Sequence, residues 1–123
     1  MIVGLGSDLT PTARWVHLIE RFGPEKCAAK ILHPDEAAYL LAGNRDRLAE
    51  RLAGRWALRE AFGKALGTGL DGWSWKALRY VNGRARAEGS LAELLAARGV
   101  ARIHATVAHD HGIAFATVIL EGP

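Results

Sequence analysis

The chain has 123 residues, half of them hydrophobic and 24% charged. This length and composition are typical of one folded globular domain, so we expect a single domain over residues 1–123 and not a disordered chain. No apolar run approaches the ~18 residues that a membrane span needs, and the first residues lack the basic start of a signal peptide. Cys27 is the only cysteine, which excludes an intrachain disulfide and a cysteine-rich zinc site and fits a reducing cytoplasm.

The charge balance gives a weaker indication about partners. Lysine and arginine together number 16 against 13 acids, a net charge of +3, which favours polyanions or acidic proteins. The arginines are scattered over several segments. No basic run is interleaved with aromatic residues, as proteins that grip single-stranded nucleic acid require.

The first elements in chain order are a strand and an amphipathic helix. Residues 2–9 alternate, with Val3 and Leu5 on one face and the glycines on the other, so Asp8 is predicted where the strand ends. Thr10 and Pro11 then have the residue types of an N-cap and a first helical residue. The apolar spacing continues that helix to the Gly23-Pro24 dipeptide.

Two further helices are predicted before the middle of the chain. The first starts at Pro34 and ends at Ala42, before Gly43-Asn44. The second, from Arg47 to Leu66, contains no proline and carries apolar side chains over most of its circumference. Such a helix is typically buried.

The second half is dominated by hairpins. Residues 76–81 and 84–88 flank Asn82-Gly83, the dipeptide that a type I′ turn prefers. The Ser90-Leu91-Ala92-Glu93 sequence matches a capping box and predicts a helix that ends before Gly99. Strands are predicted at 102–108 and 113–120, joined by a turn at 109–112, with the apolar last strand at the centre of the sheet. Together these elements predict an α+β fold: a mainly antiparallel sheet packed against a long buried helix.

The first helix also has a polar face with a regular pattern. Arg14, His17 and Arg21 recur at i, i+3 and i+7, and we call these three residues the cationic stripe. It is either an ordinary solvated face or a contact for an acidic partner.

Two acidic residues are candidates for chemistry. Glu60 and Lys64 are four residues apart on the long helix, and the simplest interpretation is a surface salt bridge. Against it, this side of the helix also carries small and apolar residues suited to close packing, where a carboxylate needs a partner. Asp8 is the other acid predicted beside packed structure. Two such carboxylates would suit Mg²⁺, which takes phosphate oxygens and waters as its other ligands.

His109 and His111 lie near the predicted last turn. They are unconvincing as zinc ligands, because no third ligand has a diagnostic spacing. A structural role is the commoner one for such residues. Contact with a phosphate, or proton transfer, is the functional alternative.

The sequence resembles a known family from end to end. The resemblance rests on Gly4-Leu5-Gly6-Ser7-Asp8-Leu9 with Arg14, on the segment RWALREAFGKALGTG at 55–69, and on Ala108-His109 before the last strand. These segments resemble the bacterial holo-[acyl-carrier-protein] synthases of the 4′-phosphopantetheinyl transferase superfamily. That resemblance implies a Mg²⁺-dependent transfer of 4′-phosphopantetheine from coenzyme A to a serine of an acyl carrier protein, which releases adenosine 3′,5′-bisphosphate.

The resemblance also implies roles for individual residues. Asp8 and Glu60 would hold the metal, and Lys64 and His109 would contact the phosphates of coenzyme A, with Gly67 and Gly69 also at the coenzyme site. Arg14 and Arg21 would dock the acidic carrier protein. The family is typically a homotrimer with active sites between subunits. The proton of the carrier serine could pass to Glu60, to a metal-polarised water or to a group of the neighbouring subunit.

Some positions depart from the family pattern, namely Pro11, Arg59, Ala85 and Ala108. None of them removes a predicted metal ligand, but Ala108 lacks the hydroxyl of the usual serine beside His109. Two other function classes stay open from the residues alone. A basic nucleic-acid-binding module would give no role to Asp8 and Glu60. A Mg²⁺-dependent phosphoanhydride hydrolase would give none to the cationic stripe.

Overall fold

The computed structural model describes residues 1–123 and has an α+β architecture, as predicted. The elements in chain order are β1 (Ile2–Pro11), α1 (Thr12–Phe22), α2 (Pro24–Ile31), α3 (Pro34–Ala42), α4 (Leu48–Leu66), β2 (Leu78–Val81), β3 (Arg84–Ala87), α5 (Gly89–Ala97), β4 (Arg102–Asp110) and β5 (Ile113–Glu121). Short 3₁₀ turns precede α4 and β2. None of the helices is both long and apolar enough to cross a membrane.

The larger sheet has three antiparallel strands in the order β1-β5-β4. The prediction that the last strand is central is therefore confirmed. Its alternate residues from Ala114 to Leu120 are buried, and they face α4, which lies across this inner face of the sheet. The other face of the three strands is turned away from the helix and carries exposed large apolar residues, including Leu5, Leu9 and Phe115.

Helix α4 is buried over most of its length, as its apolar circumference predicted. It belongs to one hydrophobic core of 25 buried residues that also takes side chains from α1, α2, α3, α5 and both sheets. Gly67 ends α4 in the left-handed conformation, with φ of 81°, which glycine adopts without steric cost.

The contact between α4 and β1 is unusually close because of two glycines. A Cβ atom added to Gly4 would lie 2.0 Å from the carbonyl oxygen of Ala65, and one added to Gly6 would lie 2.0 Å from that of Ala61. The backbone of the strand therefore rests directly on the backbone of the helix. Asp8 follows on the same face of β1 and is brought against the same side of α4.

A buried charge cluster connects α4 to the smaller sheet. Glu36 of α3 and Arg59 of α4 are both fully buried, and the Arg59 guanidinium donates to Glu36 Oε1 at 2.8 Å and to the carbonyl oxygen of Leu78 at 2.7 Å. Arg55 donates to the other oxygen of Glu36 at 3.2 Å. Both oxygens of the buried carboxylate are thereby satisfied, which an isolated buried charge would not be.

The hairpin β2–β3 turns at Asn82 and Gly83, whose φ angles of 54° and 72° are those of the predicted type I′ turn. Three local predictions were wrong. Helix α2 was not predicted at all. Strand β1 continues to Pro11, so that Thr10 belongs to the strand and is not an N-cap. Helix α5 begins at Gly89 after Glu88, so that Ser90 does not cap it.

The last hairpin is also tighter than predicted. Strand β4 runs to Asp110, and only His111 and Gly112 form the turn, with φ of 49° and 73°. His109 therefore lies in a strand, where its side chain has a fixed direction.

Replacing Gly6 by alanine should destabilise the protein because the new methyl group would overlap the Ala61 carbonyl oxygen. We expect a loss of about 2 to 3 kcal/mol in the free energy of unfolding, measured by urea denaturation. Ser7→Ala is the matched control, since Ser7 is exposed on the opposite face of the same strand. Equal stability of the two variants would contradict the close approach of β1 and α4.

Candidate active site

Three predicted site residues meet where β1 crosses α4. The Lys64 ammonium donates to Asp8 Oδ1 at 3.0 Å and to the carbonyl oxygen of Ser7 at 3.0 Å. Glu60, one turn before Lys64 on α4, lies beside Asp8. The simplest interpretation of Glu60 and Lys64, an ion pair within the helix, is therefore wrong, because Lys64 pairs with Asp8.

The electrostatics of this carboxylate cluster are unfavourable for two full negative charges. Burial raises the pKa of the Glu60 carboxyl, and the negative charge of the neighbouring Asp8 carboxylate raises that pKa further. Arg14 and Lys64 act in the opposite direction on the pKa of Glu60. The two carboxyl groups therefore attract a proton, or another cation, more strongly than a single exposed carboxylate would.

The chemistry of these donors fits a magnesium ion. The Asp8 side chain is 12% exposed and Lys64 is 55% exposed, so the cluster is open on the side of Lys64. Two carboxylates side by side, with an open side where phosphate oxygens and waters can complete the coordination, are a donor set that Mg²⁺ prefers. Thr10, whose hydroxyl lies 3.4 Å from Asp8 Oδ2, supports the second oxygen of Asp8.

His109 lies on the inner face of the sheet but at another part of α4. Its Nε2 atom is 2.9 Å from the carbonyl oxygen of Glu50. Gly54 leaves room for the ring, since a Cβ atom there would lie 2.9 Å from Nε2. The first half of α4 therefore supports His109, and the second half carries Glu60 and Lys64.

Within one chain the two groups of residues are well separated. Asp8 pairs with Ala116, and His109 pairs with Ala114 on the other side of the central strand. Two strand spacings and a two-residue offset place their Cα atoms roughly 12 Å apart. Along α4, Gly54 and Glu60 are separated by about 9 Å. His109 thus does not belong to the same local cluster as Asp8.

The glycines of the predicted coenzyme site follow α4 directly. Gly67 and Gly69 both have positive φ, 81° and 67°. The carbonyl oxygen of Gly69 accepts a hydrogen bond from the indole of Trp73 at 2.9 Å, and its backbone N–H donates to Gly63 at 3.1 Å. This turn lies one helical turn beyond Lys64 and is fixed to the end of α4.

The cationic stripe borders an apolar groove that sequence reasoning missed. The groove has a volume of about 390 Å³ and is lined mainly by apolar residues of α1, α2 and α4, with three cations at its edge, namely Arg14, Lys26 and Lys30. Two of its indole nitrogens, Nε1 of Trp15 and of Trp56, are buried without a hydrogen-bond partner. Arg21 is exposed on the same helix. The groove was not predicted because helix α2, which supplies Lys26 and Lys30, was not predicted.

Comparison with known proteins identifies the family of the chain. Residues 4–117 match the family model of the 4′-phosphopantetheinyl transferase superfamily, and the chain belongs to that superfamily. A curated relative from Treponema denticola, a holo-[acyl-carrier-protein] synthase, is 39% identical over 127 residues, which cover 99% of this chain and 100% of the relative. Within the superfamily, the similarity is thus to the holo-[acyl-carrier-protein] synthases.

Solved structures give the same result for the fold. The holo-[acyl-carrier-protein] synthase of Neisseria meningitidis has a TM-score of 0.87 at 28% identity, covering 98% of this chain and 99% of that one. The synthase of Bacillus anthracis, solved in complex with CoA (3′,5′-ADP), has a TM-score of 0.79 at 27% identity and covers 100% and 99% of the two chains.

The raised pKa of Glu60 predicts a pH-dependent difference in stability. A carboxyl group whose pKa is raised by folding stabilises the protein while it is protonated, and this contribution is lost as the pH rises through the folded-state pKa. Glu60→Gln imitates the protonated form. In metal-free buffer with a chelator, the variant should be more stable than wild type at pH 7, and the difference should close as the pH falls toward about 4.

Urea denaturation between pH 4 and pH 8 measures this difference. Glu93→Gln, on the exposed side of α5, controls for the loss of one negative charge. Identical stability of Glu60→Gln and wild type at pH 7 would show that Glu60 experiences no unfavourable environment.

Proposed function

We propose that this protein, a single phosphopantetheinyl transferase domain over residues 1–123, transfers 4′-phosphopantetheine from coenzyme A to a serine of an apo acyl carrier protein. The observation that carries the proposal is the juxtaposition of Asp8, Glu60 and Lys64 at the crossing of β1 and α4. These residues combine a pair of acids with an exposed ammonium group. Family membership and the names of the full-length relatives support the same activity.

Asp8 and Glu60 would hold Mg²⁺. When bound, the ion would neutralise the negative charge on the pyrophosphate of coenzyme A and on the leaving group. The ion would also relieve the repulsion that raises the pKa of Glu60. Lys64 would then be released from Asp8 to donate to a phosphate oxygen. Its exposed side chain and its hydrogen bond to the Ser7 carbonyl keep the ammonium group at the edge of the site.

The reaction is a displacement at the β-phosphate, which bears pantetheine. The oxygen of the carrier serine forms the new bond to that phosphorus and passes its proton to Glu60, to a water at the site or to a group of the neighbouring subunit, while the bond from that phosphorus to the α-phosphate oxygen breaks. Adenosine 3′,5′-bisphosphate leaves with the electrons of that bond. Lys64 stabilises the negative charge that develops on the leaving oxygen.

Arg14 and Arg21 of the cationic stripe would dock the carrier protein through its acidic surface. The apolar groove beside Arg14, with its cationic edge, supports this assignment because it would accept an apolar side chain flanked by carboxylates. Arg14 also lies close enough to Glu60 to lower its pKa. A carrier bound along α1 would therefore present its serine near the carboxylate cluster.

The active unit would be a homotrimer in which neighbouring subunits share each site. The outer face of the three-stranded sheet supports self-association, since it exposes Leu5, Leu9, Ile113 and Phe115. The separation of His109 from Asp8 within one chain supports a site completed by the partner's His109.

Both alternative functions account for less of the structure. A nucleic-acid-binding module gives no reason for the paired carboxyl groups, and a hydrolase gives none for the groove and the cationic stripe. Cys27 is the only cysteine and is buried. A chain that forms no intrachain disulfide suits the cytoplasm, where the enzyme would act.

The direct test is incubation with coenzyme A, Mg²⁺ and an apo acyl carrier protein, followed by intact-mass measurement. We expect the carrier to gain one phosphopantetheine group. Asp8→Ala and Glu60→Ala should each remain folded but lose more than about nine-tenths of the activity, because either change removes half of the protein ligands of the metal. No mass gain with wild type would overturn the function, and near-normal activity of either variant would overturn the metal assignment.

Reversing the charge of the docking helix should act on the carrier alone. For Arg21→Glu we expect the KM for the carrier to rise about tenfold or more, with the KM for coenzyme A unchanged, because attraction of the acidic carrier becomes repulsion. Added salt should raise the wild-type KM in the same direction. Arg86→Glu, exposed on β3, is the matched control. A KM for the carrier that does not change with salt would show that the cationic stripe is an ordinary solvated face.

Shared sites can be tested by complementation. Glu60→Ala and His109→Ala chains, each inactive alone, are mixed after partial unfolding and reassembled. If one site takes Glu60 from one subunit and His109 from its neighbour, mixed trimers should recover part of the wild-type activity. A fully active wild-type monomer in sedimentation at the assay concentration would refute the assignment.

A further inference from the structure

His109 is held in one orientation by the main chain of α4. Its Nε2 atom lies 2.9 Å from the carbonyl oxygen of Glu50. A carbonyl oxygen can only accept a hydrogen bond, so Nε2 carries the proton and donates. An anion can therefore approach only Nδ1, which binds it when this nitrogen is protonated as well.

The Glu50 carboxylate already faces this nitrogen. Its Oε1 atom lies 4.0 Å from His109 Nδ1, and its Oε2 atom lies 3.9 Å from the guanidinium of Arg47. One carboxylate thus lies between a guanidinium group and an imidazole nitrogen, each at the outer distance limit of an ion pair. We call the space between Arg47 and His109 Nδ1 the anion seat.

On the side of His109, the surroundings of the anion seat leave room for a larger anion. His109 and Glu50 line an open hollow of about 340 Å³ together with Thr12 and the β4–β5 turn. The other acid of this hollow, Asp110, pairs with the exposed His111 at 2.8 Å and points its charge to solvent. Glu50 is therefore the carboxylate that faces the anion seat.

We propose that the Glu50 carboxylate occupies the anion seat in the empty enzyme and competes there with a phosphate group of coenzyme A. The proposal rests on the proposed function, in which His109 contacts those phosphates. The contacts at 3.9 and 4.0 Å are loose, and Glu50 is 37% exposed, so its carboxylate can swing aside at little cost. After transfer, its return favours release of the bisphosphate product.

Removing the charge of Glu50 should therefore strengthen the binding of phosphate ligands. For Glu50→Gln we expect adenosine 3′,5′-bisphosphate to bind roughly fivefold to tenfold more tightly in isothermal titration calorimetry, because no carboxylate then competes with the phosphate for the anion seat. Arg47→Gln should weaken binding by a similar factor. The KM for coenzyme A should fall in Glu50→Gln, with kcat unchanged or lower.

Glu93→Gln is the matched control for net charge and should leave the dissociation constant unchanged. Adenosine 5′-monophosphate identifies the phosphate involved: the gain in Glu50→Gln is lost with this ligand if the 3′-phosphate occupies the anion seat and persists if the 5′-phosphate does. Unchanged or weaker bisphosphate binding by a folded Glu50→Gln variant would overturn the competition. If wild type transfers phosphopantetheine, that result leaves the proposed function intact, whereas a wild type that neither binds nor transfers contradicts the function itself.

Discussion

The backbone contact between β1 and α4 is the constraint on which the rest of the site depends. Gly4 and Gly6 have no side chain to hold the helix away, and the carbonyl oxygens of Ala61 and Ala65 occupy the space that their Cβ atoms would need. Two residues further along the strand, Asp8 is consequently within 3.0 Å of Lys64 and beside Glu60. Larger residues at the glycines would move the strand outward, and the acids would no longer meet.

That geometry has an energetic cost in the empty protein. Two carboxyl groups side by side repel each other once both are ionised, and the raised pKa of Glu60 reflects this repulsion together with burial. Arg14 and Lys64 offset only part of the combined effect of burial and repulsion on the pKa of Glu60. A site that is slightly destabilised when empty binds a divalent cation more strongly than two independent acids would, because the cation removes the repulsion as well as adding its own attraction.

The elements that sequence reasoning predicted are those fixed by local rules. The length of α4 follows from its uninterrupted apolar surface, and the β2–β3 turn follows from the φ angles that Asn82 and Gly83 adopt. Helix α2 has only eight residues and begins at Pro24, the second residue of the Gly-Pro dipeptide that predicted the end of α1. It therefore offers too few turns for a periodic pattern, and the groove that it lines could not be foreseen.

Ion pairs between residues far apart in the sequence could not be predicted from local patterns, for a different reason. Lys64 has a carboxylate four residues before it on the same helix, yet it pairs with Asp8, which is 56 residues away in the sequence. The buried pair of Glu36 and Arg59 likewise joins residues 23 apart. Only the packing of α4 against its neighbours decides which acid each cation meets. For Asp8 and Glu60, the resemblance to a family supplied the assignment that spacing alone left open.

The two faces of the three-stranded sheet would have different roles in the proposed enzyme. The inner face holds Asp8 and His109 against different halves of α4, and the outer face exposes Leu9 and Phe115. Because successive residues of a strand point to opposite faces, the register that aligns the outer apolar surface also fixes the positions of the inner site residues. In a trimer built on that outer face, the subunit contact and the distance between one chain's Asp8 and the partner's His109 would be set by the same strands. A one-residue slip of β1 would therefore remove Asp8 from α4 and, at the same time, break up the outer apolar surface.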